Sequence, residues 1–156
     1  MTKVLLASDA NWVIDEVSAA LSDPGTELSV LRAGVDVRPA VSLSKPDLVI
    51  LDLQIGNMGG MATCLDLRLE SEVGRLPYVP VLILLDRTAD LYLAQQAKAD
   101  GWLVKPIDAF RLKMAAVKLL SGEKMSAVSE APKTVPAEAP PIDRTSDSDI
   151  ELSESP

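Results

Sequence analysis

The chain has no histidine and a single cysteine, Cys64, and these two scarcities exclude several kinds of chemistry. Without histidine, Ser-His and Cys-His catalysis and most zinc sites are excluded. A single cysteine cannot form an internal disulfide, which is typical of proteins from a reducing cytoplasm. Cys64 stands in an apolar helical segment, which favours a small buried side chain over a nucleophile.

Long apolar runs and basic stripes are also missing from the sequence. No apolar run approaches the roughly 20 residues needed to cross a membrane, and residues 1–3 lead into a predicted strand, unlike a signal peptide. The formal net charge is −8, and no part of the chain carries the basic patch typical of nucleic-acid binding. We therefore expect a cytoplasmic protein that binds no nucleic acid and does not insert into a membrane.

The composition changes sharply after Gly122. Residues 122–156 contain eight acidic and three basic residues, and five of the eleven prolines lie there. Such a stretch cannot bury enough apolar surface to fold alone. We predict one folded domain over residues 1–121 and a disordered acidic tail, or docking segment, over residues 122–156.

Strand and helix patterns alternate five times before residue 121. The predicted strands are residues 3–8, 27–32, 47–51, 79–85 and 101–104. The predicted helices begin near residue 11, after Gly34 with Asp36 as the cap, near residues 60 and 89, and after Pro106. Short apolar strands between helices predict an α/β fold with a parallel sheet covered on both faces.

Three charged side chains lie where predicted strands end. Asp9 follows the first strand, Asp52 follows the third, and Lys105 follows the fifth. Open α/β sheets place their ligand sites at the carboxyl ends of the strands. We therefore predict that these three side chains form a site. The glycines after Asp52 have neither of the spacings known for phosphate-binding loops, so they indicate a flexible loop.

These features resemble the receiver domain of two-component response regulators, over about residues 3–121. The resemblance is carried by residues 6–9, 46–52 and 100–106, together with Gly60. Within this family, the chain resembles the orphan single-domain receivers of actinobacteria. The resemblance implies a flavodoxin-like, doubly wound sheet of five parallel strands in the order 2-1-3-4-5, with five helices, and a protein that is not an enzyme.

The resemblance also implies a role for each site residue. In receivers, the strand-3 aspartate accepts a phosphoryl group from a histidine kinase, and Asp52 matches that position. Lys105 matches the lysine that pairs with the phosphoryl group. Receivers bind Mg²⁺ through an acidic pair after strand 1, the phosphoacceptor and the backbone carbonyl two residues beyond it. The corresponding positions here are Ser8 and Asp9, Asp52, and Gln54.

The chain departs from the receiver pattern at several of these positions. Ser8 replaces one carboxylate of the acidic pair, and Leu85 replaces the Ser or Thr that hydrogen-bonds a phosphoryl oxygen. Asp86 stands where a small residue is usual, and Trp102 matches the switch aromatic. We therefore expect weak Mg²⁺ binding at most, no other cofactor, and poor phosphorylation. The two aspartates of the predicted site would instead neutralise Lys105.

Two functions remain open at this point, and a third is disfavoured. The first is an atypical stand-alone receiver that acts as a phosphorylation-independent interaction module or accessory subunit. Because some actinobacterial look-alikes are linked with the respiratory NADH dehydrogenase, a role at the periphery of such a membrane complex is one prediction. The second is a relay that takes a phosphoryl group from a histidine kinase at Asp52. A small flavodoxin-like enzyme is disfavoured because the chain lacks a catalytic set.

The fifth predicted helix is apolar on two faces. Phe110, Met114 and Val117 share one face, and Leu112 and Leu119 lie nearly opposite. With the first face assigned to the sheet, the second predicts contact with a protein partner. The predicted partner surface consists of Leu91, Tyr92, Leu112, Leu119, Ile150 and Leu152. The alternatives are scattered surface leucines and an inert tail.

Overall fold

The computed structural model describes residues 1–125, which form five parallel strands between five helices. The strands are β1 Thr2–Ala7, β2 Thr26–Leu31, β3 Leu48–Asp52, β4 Val81–Leu85 and β5 Gly101–Val104. They lie in the order β2-β1-β3-β4-β5, which confirms the predicted flavodoxin-like sheet. Every residue of β3 and β4 is buried, as expected for apolar strands in the middle of a parallel sheet.

The helices cover both faces of the sheet. They are α1 Asn11–Ala20, α2 Val37–Ser44, α3 Gly60–Glu72, α4 Leu91–Gln96 and α5 Ala109–Leu120. Helix α1 contacts α5, and α2 contacts α3. The thiol of Cys64 in α3 lies 3.2 Å from the carbonyl oxygen of Ala97, at the end of α4. No helix within residues 1–125 is long and apolar enough to cross a membrane.

Most predicted strand ends lie within one residue of the observed ones, and the larger differences are at the starts of α2, α4 and β4. Helices α2 and α4 each begin after a short 3₁₀ turn, at Gly34–Asp36 and Thr88–Asp90. The prediction that Asp36 caps α2 is wrong. The Asp36 side chain makes no cap hydrogen bond, and the Asp36 backbone is helical, whereas a capping residue has an extended backbone. Strand β4 begins at Val81 rather than Val79, because the intervening Pro80 has no N–H for the sheet.

The assignment of the two faces of α5 was wrong. Leu112 and Leu119 are fully buried, whereas Phe110, Met114 and Val117 are 71%, 54% and 56% exposed. The reason is that the helix also buries two alanines at positions 115 and 116, which complete an i, i+3, i+4, i+7 stripe from Leu112 to Leu119. Small side chains count toward a buried face even though they add little hydrophobicity. Leu112 and Leu119 therefore do not belong to a partner surface.

The other members of the predicted partner surface divide three ways. Tyr92 is exposed, whereas Leu91 packs partly against the core. Ile150 and Leu152 lie outside the described residues, as does nearly all of the predicted tail. Beyond residue 121, the described chain still packs against the domain. The N–H of Met125 donates to the carbonyl of Asp100, and the Met125 side chain is buried at the start of β5.

Candidate functional site

Four polar side chains meet at the carboxyl ends of the parallel strands. Ser8 follows β1, Asp52 is the last residue of β3, Asp86 follows β4 and Lys105 follows β5. Parallel strands end at the same edge of the sheet, so residues far apart in sequence become neighbours. Gly60 allows α3 to begin close to this edge, since a Cβ there would lie 2.5 Å from the carbonyl oxygen of Asp52.

The carboxylate of Asp52 is buried and holds hydrogen bonds on both oxygens. The ammonium of Lys105 lies 2.5 Å from Oδ1. The hydroxyl of Ser8 donates to Oδ2 over 2.8 Å, and the backbone N–H of Gln54 donates weakly to Oδ1 over 3.3 Å. Asp52 is 1% exposed and the Lys105 side chain 12%. An ionised carboxylate is tolerated at this depth because its charge is paired and hydrogen-bonded.

Lys105 has a second carboxylate partner. Its ammonium donates to Oδ1 of Asp86 over 2.8 Å. Leu85 and Val104 are opposite each other in the β4–β5 register, so the residues that follow them, Asp86 and Lys105, lie side by side. The other oxygen of Asp86, Oδ2, is buried and has no hydrogen-bond partner within residues 1–125. Two carboxylates thus share one ammonium.

The shared ammonium changes the acid–base behaviour of the site. Burial alone would lower the pKa of Lys105, but the hydrogen bonds to Asp52 and Asp86 outweigh it, and the pKa of Lys105 is raised. Burial would raise the pKa of Asp86, but the hydrogen bond from Lys105, the nearby Gln54 side chain and the positive charges of Lys105 and Arg87 together outweigh it, and the pKa of Asp86 is lowered. Lys105 and Asp86 are therefore both held in their charged forms.

Asp9 does not join this cluster, so the predicted trio of Asp9, Asp52 and Lys105 is wrong. Oδ2 of Asp9 instead accepts a hydrogen bond from the backbone N–H of Gly56 over 3.0 Å. Consecutive residues of an extended chain point to opposite sides, so Ser8 reaches Asp52 while Asp9 does not. Within residues 1–125, no three acidic or cysteine side chains are grouped as a metal ion would need. The two carboxylates that the resemblance implies as Mg²⁺ ligands, Asp9 and Asp52, are thus engaged with other partners.

The two switch-like positions, Leu85 and Trp102, are part of the core. Leu85 is fully buried at the end of β4, and an alkyl side chain offers no hydrogen bond. Trp102 is 4% exposed and lies opposite Ile83 in the sheet. Its indole N–H has no hydrogen-bond partner within residues 1–125. Leu85 therefore supplies no hydroxyl at the end of β4 that could couple to the aromatic ring of Trp102.

Sequence reasoning missed two contacts of Lys105. The sequence analysis noted Asp86 as standing where a small residue is usual, but not as an ion-pair partner of Lys105. The strand register carries that signal, because residues that follow paired positions of neighbouring strands lie together. The second contact is the ring of Trp12, whose centroid is 5.8 Å from the Lys105 ammonium, within the range of a cation–π interaction. No local pattern in the sequence indicated it.

Comparison with known proteins agrees with the fold. The family model described as "Response regulator receiver domain" matches residues 4–117. The DNA-binding response regulator MtrA of Mycolicibacterium paratuberculosis is 29% identical over 106 residues, which is 67% of this chain and 44% of that protein. The transcriptional regulatory protein CseB of Streptomyces avermitilis is 28% identical over 109 residues, 69% of this chain and 44% of that protein. The chain thus spans less than half the length of these relatives.

A solved structure supports the same assignment. The signal receiver domain of a signal transduction histidine kinase from Syntrophus aciditrophicus superposes with a TM-score of 0.68 at 26% identity. The match covers 81% of this chain and 95% of that domain. Because the family model covers most of the chain and the strand order agrees, the resemblance inferred from the strand-end residues is confirmed, and the chain belongs to the response regulator receiver domain family.

Proposed function

We propose that this receiver acts through contact with other proteins and does not depend on phosphorylation of Asp52. The observation that carries the proposal is the ammonium of Lys105, which is shared between Asp52 and Asp86 at 2.5 and 2.8 Å. In the receiver pattern, that lysine pairs with the incoming phosphoryl group. In this chain, a carboxylate of the protein itself, that of Asp86, already accepts a hydrogen bond from Lys105.

Phosphoryl transfer to Asp52 is opposed at three points of the site. An oxygen of Asp52 would have to leave its partner, Lys105 or Ser8, before it could attack phosphorus. A phosphoryl group brings negative charge next to Asp86, whose lowered pKa keeps it ionised. Buried Leu85 leaves a phosphoryl oxygen without a hydrogen bond on that side. These effects act in the same direction.

Mg²⁺ is expected to bind weakly at most, and we propose that no other cofactor is used. Mg²⁺ requires near-octahedral oxygen ligands and usually binds through carboxylates and waters. Ser8 contributes no charge, the Asp9 carboxylate accepts from Gly56, and Asp52 is engaged with Lys105. The metal set implied by the resemblance, Asp9, Asp52 and the Gln54 carbonyl, would have to break these contacts to assemble.

The proposed role is that of an interaction module or accessory subunit in the cytoplasm. Exposed apolar side chains on α5 favour protein contact over an isolated domain. Association with a large complex such as the respiratory NADH dehydrogenase is supported only by the resemblance to actinobacterial orphan receivers. The alternative function is a phosphorylatable relay fed by a histidine kinase. The close contact between Lys105 and Asp52, which the receiver pattern also implies, is the observation that favours it.

A titration with Mg²⁺ and beryllofluoride, a phosphoryl mimic, tests the proposal. Trp12 reports on the site through its fluorescence, because its ring lies near Lys105. We expect no saturable change with Mg²⁺ alone or with the mimic. A saturable change that disappears in both Asp52→Asn and Trp12→Phe would favour the phosphorylatable relay instead.

A further inference from the structure

Helix α3 buries charge on its inner side and exposes apolar residues on its outer side. Arg68 is 5% exposed and pairs with the buried carboxylate of Asp100. Leu65, Leu69 and Val73 are 41%, 59% and 60% exposed, and Val73 continues the helix through its N–H bond to the carbonyl of Leu69. The three are four positions apart, so they lie along one side of the helix and form what we call the α3 stripe.

One border of the α3 stripe carries ion pairs that close within the chain. The guanidinium of Arg38, in α2, contacts the carboxylate of Asp66 over 3.1 Å and that of Glu70 over 3.4 Å. Arg75 contacts Glu70 as well, over 2.7 Å. A strongly charged partner at this border would have to break these pairs or leave its own charge unbalanced.

The opposite border is balanced in the same way. Glu72, three positions after Leu69, pairs with Lys98 over 3.0 Å. The two borders thus carry three acidic and three basic side chains, all ion-paired within residues 1–125. A surface without net charge gains little from an acidic or a basic partner, but it meets an identical surface without like-charge repulsion. The charge balance therefore favours a second copy of the same chain.

We propose that the α3 stripe binds the α3 stripe of a second copy of this chain, with the two helices antiparallel about a twofold axis at Leu69. In such a symmetric contact, each residue meets the position equally far beyond the axis on the other copy. Leu65 and Val73 are each four positions from Leu69. Leu65 of one copy therefore meets Val73 of the other, and the two Leu69 side chains meet. Antiparallel packing also sets helix ends of opposite partial charge side by side.

The size of α3 sets the strength of this contact. The helix has 13 residues and is about 20 Å long. Contact along one helix of this length is smaller than the roughly 800 Å² per partner of a standard interface. We therefore expect a weak and reversible dimer. The inference stands apart from the proposed function, because Asp52 takes no part in the contact.

Sedimentation equilibrium of the full chain measures the association. In about 0.15 M salt, which screens the overall negative charge, we expect a monomer at about 1 µM and a growing dimer fraction above about 100 µM. Leu69→Glu sets two carboxylates against each other at the axis and should weaken the association at least about tenfold. Phe110→Glu is the matched control, because it adds the same charge at an exposed position of α5, and it should leave the association unchanged.

Two results of this measurement would overturn the proposal. One is a monomer at every concentration up to about 1 mM. The other is a dimer that Phe110→Glu abolishes and Leu69→Glu leaves intact, which would assign the contact to α5. Both variants change exposed side chains, and circular dichroism verifies that the domain remains folded.

Disulfide cross-linking with oxidised glutathione tests the register. Facing Cα atoms of helices packed about 8–10 Å apart lie about 4–5 Å from each other, within reach of a disulfide. Leu69→Cys should therefore cross-link. Leu65→Cys alone should not, because its two copies would be offset by about 12 Å, but a mixture of Leu65→Cys and Val73→Cys chains should. Cys64 stays unreactive, since burial raises its pKa to about 11. Cross-linking of Leu65→Cys alone as readily as Leu69→Cys would overturn the antiparallel contact.

Discussion

Lys105 donates a hydrogen bond to Asp86 over 2.8 Å while its ammonium also contacts Asp52. Asp86 follows β4 at a position where receivers usually carry a small residue, and the strand register sets it beside Lys105. Two carboxylates and one ammonium leave the cluster with an excess negative charge. We therefore expect the site to accept a further anion poorly.

The ion pair between Lys105 and Asp52 should contribute to folding. Asp52→Asn removes one buried charge, and Lys105 keeps Asp86 as its one carboxylate partner within residues 1–125. We expect the free energy of unfolding to fall by about 1–3 kcal/mol, measured by urea denaturation.

A matched control is Asp23→Asn, which breaks the half-exposed pair with Lys113. That variant should change the free energy of unfolding by less than about 1 kcal/mol, because solvent screens exposed pairs. If Asp52→Asn were instead more stable than the unmodified protein, the carboxylates would repel one another more than Lys105 attracts them.

At acid pH, the free energy of unfolding should depend on the protonation of Asp86. Because the pKa of Asp86 is lowered by folding, its contribution is complete above the ordinary aspartate value of about 3.9 and is lost as pH falls through the lowered value. Asp86→Asn should therefore be less stable than the unmodified protein at pH 7, and the difference should vanish in strong acid. The difference should be about 1 kcal/mol or less, since Asp86 is 31% exposed.

At alkaline pH, the free energy of unfolding should depend on the deprotonation of Lys105. Its pKa is raised, so its contribution is complete below about 10.4 and is lost only as pH rises through the higher folded value. Urea denaturation between pH 2 and 11 would measure both limbs. Asp15→Asn is the control, because Asp15 is exposed and forms no ion pair within residues 1–125. An Asp86→Asn difference that grew as pH fell would contradict the assigned direction.

The two faces of α5 should respond very differently to truncation. Leu112→Ala removes a fully buried side chain and should lower the free energy of unfolding by about 2–5 kcal/mol. Phe110→Ala removes a larger but mostly exposed side chain and should cost about 0.5 kcal/mol or less. Urea denaturation of the two variants under identical conditions measures this. The reverse order would mean that Phe110 faces the sheet.

These faces also show what the sequence alone could predict. The position of the site and the contact between Lys105 and Asp52 follow from apolar runs that end on charged residues, and the strand order follows from the resemblance to receiver domains. The inner face of α5 did not, because the pattern was judged from its large side chains while Ala115 and Ala116 share the buried stripe with Leu112. The position of a residue around the helix decides whether it is buried, and this holds for an alanine as much as for a leucine.

The membership of the site was only partly predictable for a related reason. Asp9 and Ser8 are adjacent in sequence, and the direction in which each side chain points depends on where β1 ends. Asp86 becomes a partner of Lys105 through the pairing of β4 with β5, a long-range relationship. Residue type and local spacing indicate which strands carry a site, but side-chain direction and strand register determine which residues meet.

The most direct test restores the receiver pattern to this site. Ser8→Asp, Leu85→Thr and Asp86→Ala together return the second carboxylate, supply a hydroxyl and free Lys105 from its extra partner. The unmodified protein and this triple variant would be incubated with acetyl phosphate and Mg²⁺, and the adduct measured by intact mass. We expect little adduct on the unmodified protein and substantial adduct on the triple variant, abolished when Asp52→Asn is added. Rapid and nearly complete labelling of the unmodified protein at Asp52 would contradict the account.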